Sequence, residues 1–150
     1  MSSLNQLYHD VIVDHGRHPR NFGRLEQAQQ LRGHNPLCGD ELTLYLQIEK
    51  GKIMDARFDG HGCAISMASS SLMTQAIKGK SITEAEALFQ QFHSLLMEEN
   101  TSTQALEAVL GKLVILKGVA EYPSRVKCAT LAWHTLHALL QNEQEPVSTE

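Results

Sequence analysis

Leu42, Leu44, Leu46 and Ile48 alternate with Glu41, Thr43, Tyr45 and Gln47, the two-residue period of a strand buried on one face. Glu49-Lys50-Gly51-Lys52 is a polar turn, after which Met54, Ala56 and Phe58 alternate with Asp55, Arg57 and Asp59. The two runs predict a β-hairpin. A shorter strand is expected around Gln30–Gly33 in the poorly patterned stretch 25–37.

The other segments follow the helical period. Leu4, Leu7, Tyr8, Val11, Ile12 and His15 line one face of a helix over about 4–15, closed by Gly16 and Pro19. The basic, turn-rich stretch 15–23 after it reads as a loop, or more sharply as a docking surface. Ile65, Ala68, Leu72 and Ala76 give a second helix, beginning at Cys63 and ending at Gly79. Ser81 with Glu84, or Thr83 with Glu86, supplies a capping box for a third, striped by Ala85, Leu88, Phe89, Phe92, Leu95 and Leu96. A polar linker at 98–103 and a short helix over Gln104–Leu110, broken by Gly111, come next. Leu113-Val114-Ile115-Leu116 is too short a run for periodicity to choose between strand and helix. Pro123 opens the last helix, whose buried face is Ala129, Ala132, Trp133, Leu136, Leu139 and Leu140. The polar tail 141–150 is expected to fray.

No internal repeat or second domain is visible, and 150 residues suit one domain over 1–150. The net charge of −4 argues against a broad nucleic-acid footprint. No apolar run approaches a membrane span of roughly 18–20 residues. The amino terminus lacks the pattern of a signal peptide. A soluble cytoplasmic protein is expected. Three dispersed cysteines in a reducing compartment suggest ligands, a nucleophile or core residues rather than disulfide staples.

The candidate chemistry gathers around Asn35-Pro36-Leu37-Cys38-Gly39-Asp40. A thiol and a carboxylate flank one glycine, which lets the backbone turn so that both point the same way. Cys38 stands just before the first hairpin strand and Cys63 just after the second, so antiparallel pairing carries both to one end of the sheet. With Cys128 they make three thiols and one carboxylate, a set that suits a tetrahedral zinc ion or an iron–sulfur cluster. Placed near helix amino termini, Cys63 and Cys128 are expected to favour the thiolate, with Arg125 and Lys127 adding positive charge beside Cys128. Asp40 alone would raise the pKa of Cys38; a shared metal ion would reverse that. One oxygen ligand among thiolates implies a site that can open or exchange its cargo. The bland alternative is that a lone cysteine, Cys128 above all, is core packing. His61 is a substitute ligand or a solvated loop histidine. Ser66, Ser69, Ser70 and Ser71 read as a small-residue face for close packing, and His134 and His137 as facing solvent or an adjacent element.

Three motifs, Asn35-Pro36-Leu37-Cys38-Gly39-Asp40, Gly60-His61-Gly62-Cys63-Ala64-Ile65-Ser66 and Arg125-Val126-Lys127-Cys128-Ala129, together resemble the iron–sulfur cluster scaffold family. His18-Pro19-Arg20-Asn21 and the stretch from Tyr122 to Trp133 are similar to it as well, and the resemblance covers residues about 4–140. It is closest to the SufU branch of the fold shared with IscU and the amino-terminal part of NifU. Lys127 stands where IscU-like members have a histidine, and the span between Cys63 and Cys128 is long, as in SufU.

The resemblance implies an α+β fold of the SufE/NifU-like kind: a small, mostly antiparallel sheet packed against about five helices, with the ligands at one end. It implies zinc on Cys38, Asp40, Cys63 and Cys128, in a protein that accepts persulfide sulfur from a SufS-type cysteine desulfurase and relays it to downstream scaffold or acceptor proteins. Cys38 is the expected acceptor, since it precedes the turn and its release from the metal would expose a nucleophile. Arg125 and Lys127 become candidate partner contacts. The alternatives it leaves are a scaffold holding a 2Fe–2S cluster on Cys38, Cys63 and Cys128, and a structural zinc domain used for interaction. On this reading the protein is at most a sulfurtransferase acting with a desulfurase, and otherwise a non-enzymatic scaffold.

Overall fold

A computed structural model describes residues 2–97, 110–120 and 122–149. The expected linker at 98–103 and nearly all of the short helix at 104–110 lie outside them. The described elements are α1 (Ser2–Arg17), β1 (Gln29–Asn35), β2 (Asp40–Glu49), β3 (Lys52–His61), α2 (Ala64–Ile77), α3 (Ile82–Met97), a 3-10 helix (Gly111–Val119), α4 (Pro123–Leu140) and β4 (Val147–Ser148). The sheet has the order β3-β2-β1-β4, with two antiparallel pairings and one parallel pair, β1 with β4. The fold is α+β, with a mostly antiparallel sheet against helices.

Alternation along β2 buries Leu42, Leu44 and Leu46. The hairpin register sets Glu41 opposite His61 and Leu42 opposite Gly60, so the segments holding Cys38 and Cys63 meet at one end of the sheet. One expectation is corrected at the far end. The register shifts between Gln47 and Ile48, so that Ile48 faces Ile53 and Met54 is the extra residue. Across a bulge the inward–outward alternation shifts by one residue. Ile53 is therefore fully buried, while Met54, expected inside, is 47% exposed.

The helices α2 and α4 pack on each other and on the sheet, with α1 outside α2 and α3 against α4. Trp133, fully buried, stacks on Phe92 at 4.6 Å and donates its indole N–H to Ser69 Oγ at 3.2 Å. Ser66, Ser69, Ser70 and Ser71 are all buried, as close helix packing requires. Ser81 and Glu84 close the capping box reciprocally: Glu84 N donates to Ser81 Oγ and Ser81 N to Glu84 Oε1, both at 3.0 Å.

The basic loop is neither purely solvated nor free. Phe58 N donates to Asn21 O and Gly23 N to Phe58 O, so residues 21–23 lie along the outer edge of β3, with Phe22 edge-on to Phe58 at 5.3 Å. Residues 111–119 resolve the ambiguous run as a 3-10 helix burying Leu113, Ile115, Leu116 and Val119. The tail does not fray along its whole length. Val147 packs against the core and Thr149 N donates to His34 O at 3.2 Å, so two residues extend the sheet at the open edge of β1.

Strand β1 approaches α4 closely because residue 33 is glycine. A Cβ there would stand 2.2 Å from Thr135 Oγ1. That close crossing brings the end of β1, and with it Asn35, against the first half of α4.

Candidate metal centre

Asp40 begins β2 and is fully buried. The preceding turn is closed by Gly39 N donating to Asn35 O at 2.9 Å, with Gly39 at φ +73°, the left-handed backbone expected of that position. The turn leaves Cys38 exposed. Asp40 Oδ1 accepts the backbone N–H of Cys63 at 2.8 Å, and Oδ2 lies 4.0 Å from Cys63 Sγ. Gly62 permits this: a Cβ there would stand 2.6 Å from Asp40 Oδ1.

Cys63 is the N-cap of α2, and its sulfur accepts the N–H of Ser66 at 3.4 Å. This is the amide-rich helix start expected from sequence. Cys128 differs. It lies in the second turn of α4, is 3% exposed, and sits beyond the unpaired amides of the first turn. Burial pushes its thiol pKa far up, and hydrogen bonding to Cys38, Asp40 and Cys63 pushes it the same way. The expectation of a lowered pKa at Cys128 is thus corrected for the protein without a cation; the neighbouring basic residues do not outweigh burial.

Cys128 Sγ is 3.3 Å from Cys38 Sγ, and Asn35 Nδ2 approaches Cys128 Sγ at 3.7 Å. Donor atoms of Cys38, Asp40 and Cys128 all lie within 4.8 Å of one another, a group that could hold a metal ion. Cys63 stands at its rim through the contact with Asp40. Two thiolates on one zinc lie on the order of 3.8 Å apart, so the sulfurs need only small shifts to share an ion. Of the four donors named from sequence, Cys38, Asp40 and Cys128 form this group, and Cys63 lies at its edge.

The other candidates lie around this cluster. His61 Nε2 is 3.3 Å from Glu41 Oε2, on the exposed side of the hairpin. Arg125 is exposed, with its guanidinium 5.8 Å from the Tyr122 ring centre. Lys127 is half-buried and lines an open cavity of about 430 Å³ with His93, Thr130 and His134. His137 Nδ1 is 2.8 Å from Glu86 Oε2, and the ring stacks on Phe89 at 4.6 Å. Sequence reasoning passed over Asn35 as a site residue. It is fully buried, and its only signal was its place at the head of the cysteine motif.

A profile of the NifU-like N-terminal domain matches residues 7–129. The chain belongs to this family. Among NifU-like domains it is 42% identical, over 136 residues, to the iron–sulfur cluster assembly scaffold protein IscU of Streptococcus pyogenes serotype M1, covering 91% of this chain and 84% of that protein. It is 41% identical over 143 residues to the zinc-dependent sulfurtransferase SufU of Bacillus subtilis strain 168, covering 95% of each. A crystal structure of a candidate SUF-system scaffold from Fervidobacterium islandicum AW-1 superposes with a TM-score of 0.82 at 37% identity, covering 90% of this chain and 97% of that one. Among the described residues no helix is long and apolar enough to cross a membrane.

Proposed function

We propose that this NifU-like domain is a zinc-dependent acceptor of persulfide sulfur in iron–sulfur cluster assembly. The observation that carries the reading is the gathering of Cys38, the buried Asp40 and Cys128 within 4.8 Å, with Cys63 beside the Asp40 carboxylate and both Cys38 and Cys63 exposed. The donor set suits zinc: thiolates are preferred ligands, and a single oxygen makes the set less closed than four sulfurs. Cys38, Asp40, Cys63 and Cys128 would hold the ion, which when bound keeps the thiols as thiolates. The named activity of the Bacillus subtilis relative supports the same choice.

In the proposed transfer, the Cys38 thiolate attacks the terminal sulfur of a donor cysteine persulfide. A new S–S bond forms at Cys38, the donor's S–S bond breaks, and the donor cysteine leaves as a thiolate. The exchange needs no outside oxidant or reductant. Asp40 stays anchored by the Cys63 amide while Cys38 moves. The donor is a SufS-type cysteine desulfurase, and the recipients are downstream scaffold or acceptor proteins. Arg125 and Lys127 stand in the first two turns of α4, ahead of Cys128, and are the candidate contacts with the donor. A cytoplasmic location agrees with free thiols, which persist in a reducing compartment.

The test is elemental analysis and a visible spectrum of protein purified anaerobically, followed by a desulfurase assay. Near-stoichiometric zinc, no colour, and stimulation that Cys38→Ala abolishes are expected. Iron with matching labile sulfide would replace this reading with a cluster scaffold, as the Streptococcus pyogenes relative is named. Zinc that Cys38→Ala releases together with the fold would leave a structural zinc domain.

A further inference from the structure

The three sulfurs are not hydrogen-bonded alike. Cys63 Sγ accepts the backbone N–H of Ser66, and Cys128 Sγ is approached by the side-chain amide of Asn35. Among the described residues no N–H group reaches Cys38 Sγ; its polar neighbour is the Cys128 sulfur, 3.3 Å away. An N–H directed at a thiolate withdraws charge from it, fixes its position and makes it a poorer nucleophile. Cys38 and Cys128 thus stand side by side with opposite endowments. One is exposed and bare, the other buried and held.

Packing alone does not account for an asparagine at position 35. The side chain is fully buried, and its Oδ1 has no hydrogen-bond partner among the described residues. A leucine of similar size would fill that space without desolvating an amide. The end of the amide that has a partner is the one facing sulfur. A metal-bound thiolate can only accept, so it is served by Nδ2 and not by Oδ1.

We propose that Asn35 is a positioning residue that retains Cys128 as a fixed ligand and so leaves Cys38 as the thiol free to react. The inference rests on the sulfur-acceptor reading for its biological meaning, but the selectivity between the two thiols can be measured without a desulfurase. Gly33 contributes by letting β1 lie close enough to α4 for the amide to reach.

The experiment is limiting alkylation of the zinc-loaded protein with iodoacetamide, each cysteine being followed by peptide mass spectrometry. In the unsubstituted protein Cys38 is expected to react first and Cys128 last. In Asn35→Leu, Cys128 should gain about tenfold or more in rate, with Cys63 unchanged. An unchanged Cys128 rate in a folded Asn35→Leu protein, or Cys128 reacting first in the unsubstituted one, would overturn the proposal. A second measurement does not depend on the variant folding. With NMR-active cadmium in place of zinc, the Asn35 side-chain amide proton should show scalar coupling to the metal through the sulfur. Absence of that coupling in a loaded, folded sample would also overturn it. Loss of sulfur-acceptor activity as such is a separate matter: if Cys38→Ala still accepts sulfur, the functional reading fails while the alkylation order stands.

Discussion

Asp40 Oδ1 accepts the backbone N–H of Cys63 at 2.8 Å, which ties the beginning of β2 to the cap of α2. The bond does two things. It satisfies a fully buried carboxylate oxygen, and it turns the other oxygen toward the thiols. Gly62→Ala tests it, because the new Cβ would stand 2.6 Å from Oδ1. Zinc affinity is expected to fall by about 10–100-fold, as for other losses of a ligand's supporting bond. Competition with a chromophoric chelator measures this, and unchanged affinity would mean that the bond does not hold the site.

Cys38→Ala should separate chemistry from folding. The side chain is exposed, so the metal-free protein should unfold within about 0.5 kcal/mol of the unsubstituted protein. Urea denaturation of both apoproteins gives that comparison. A loss of several kcal/mol would show that Cys38 is structural.

Trp133→Ala is the opposite case. The indole is fully buried, stacks on Phe92 and donates to Ser69, whose hydroxyl keeps its bond to Ala129 O, so its removal chiefly leaves a cavity. A loss of about 3–5 kcal/mol is expected, read by circular dichroism in urea.

Stability should fall on mild acidification. Burial holds the His15 imidazole below its ordinary 6.5, with Arg20 pushing the same way. Burial does likewise at His134, reinforced by His93 and His137. Below about 6.5 the unfolded chain then binds protons that the folded chain refuses. The stabilisation is complete above that pH and is lost as pH falls through the lowered native values. The urea midpoint of the apoprotein should therefore drop from about pH 7.5 to about pH 5.5, and more gently in His15→Gln. An equally steep drop in that variant would exclude His15 as a cause.

The hairpin and the ligand end of the sheet were legible because alternation from Leu42 to Ile48 fixes which face is buried, and a short polar turn fixes where the chain returns. Helix stripes ending in Gly79 and opening at Ser81 and Pro123 were equally plain. The bulge at Met54 was not, since a one-residue register shift is decided by cross-strand packing that local pattern does not carry. Nor was β4: two residues pair only because the edge of β1 is open beside them. Cys63 and Asp40 stood out by residue type and turn context. Asn35 did not, because an asparagine before proline reads as a turn residue until its neighbour across β1 and α4 is known. The buried pair of His15 and Ser71, 2.7 Å apart, was hidden for the same reason.

The parts of the metal centre come from the β1–β2 turn, the cap of α2 and the second turn of α4, in that order along the chain. A ribosome therefore delivers Cys38 and Cys63 well before Cys128. While α4 is still in the exit tunnel, the nascent chain offers two thiols and a carboxylate without the sulfur that completes the group. A chain truncated before α4 would lack the Cys128 donor. The order of synthesis thus leaves the candidate site incomplete until the last helix is made.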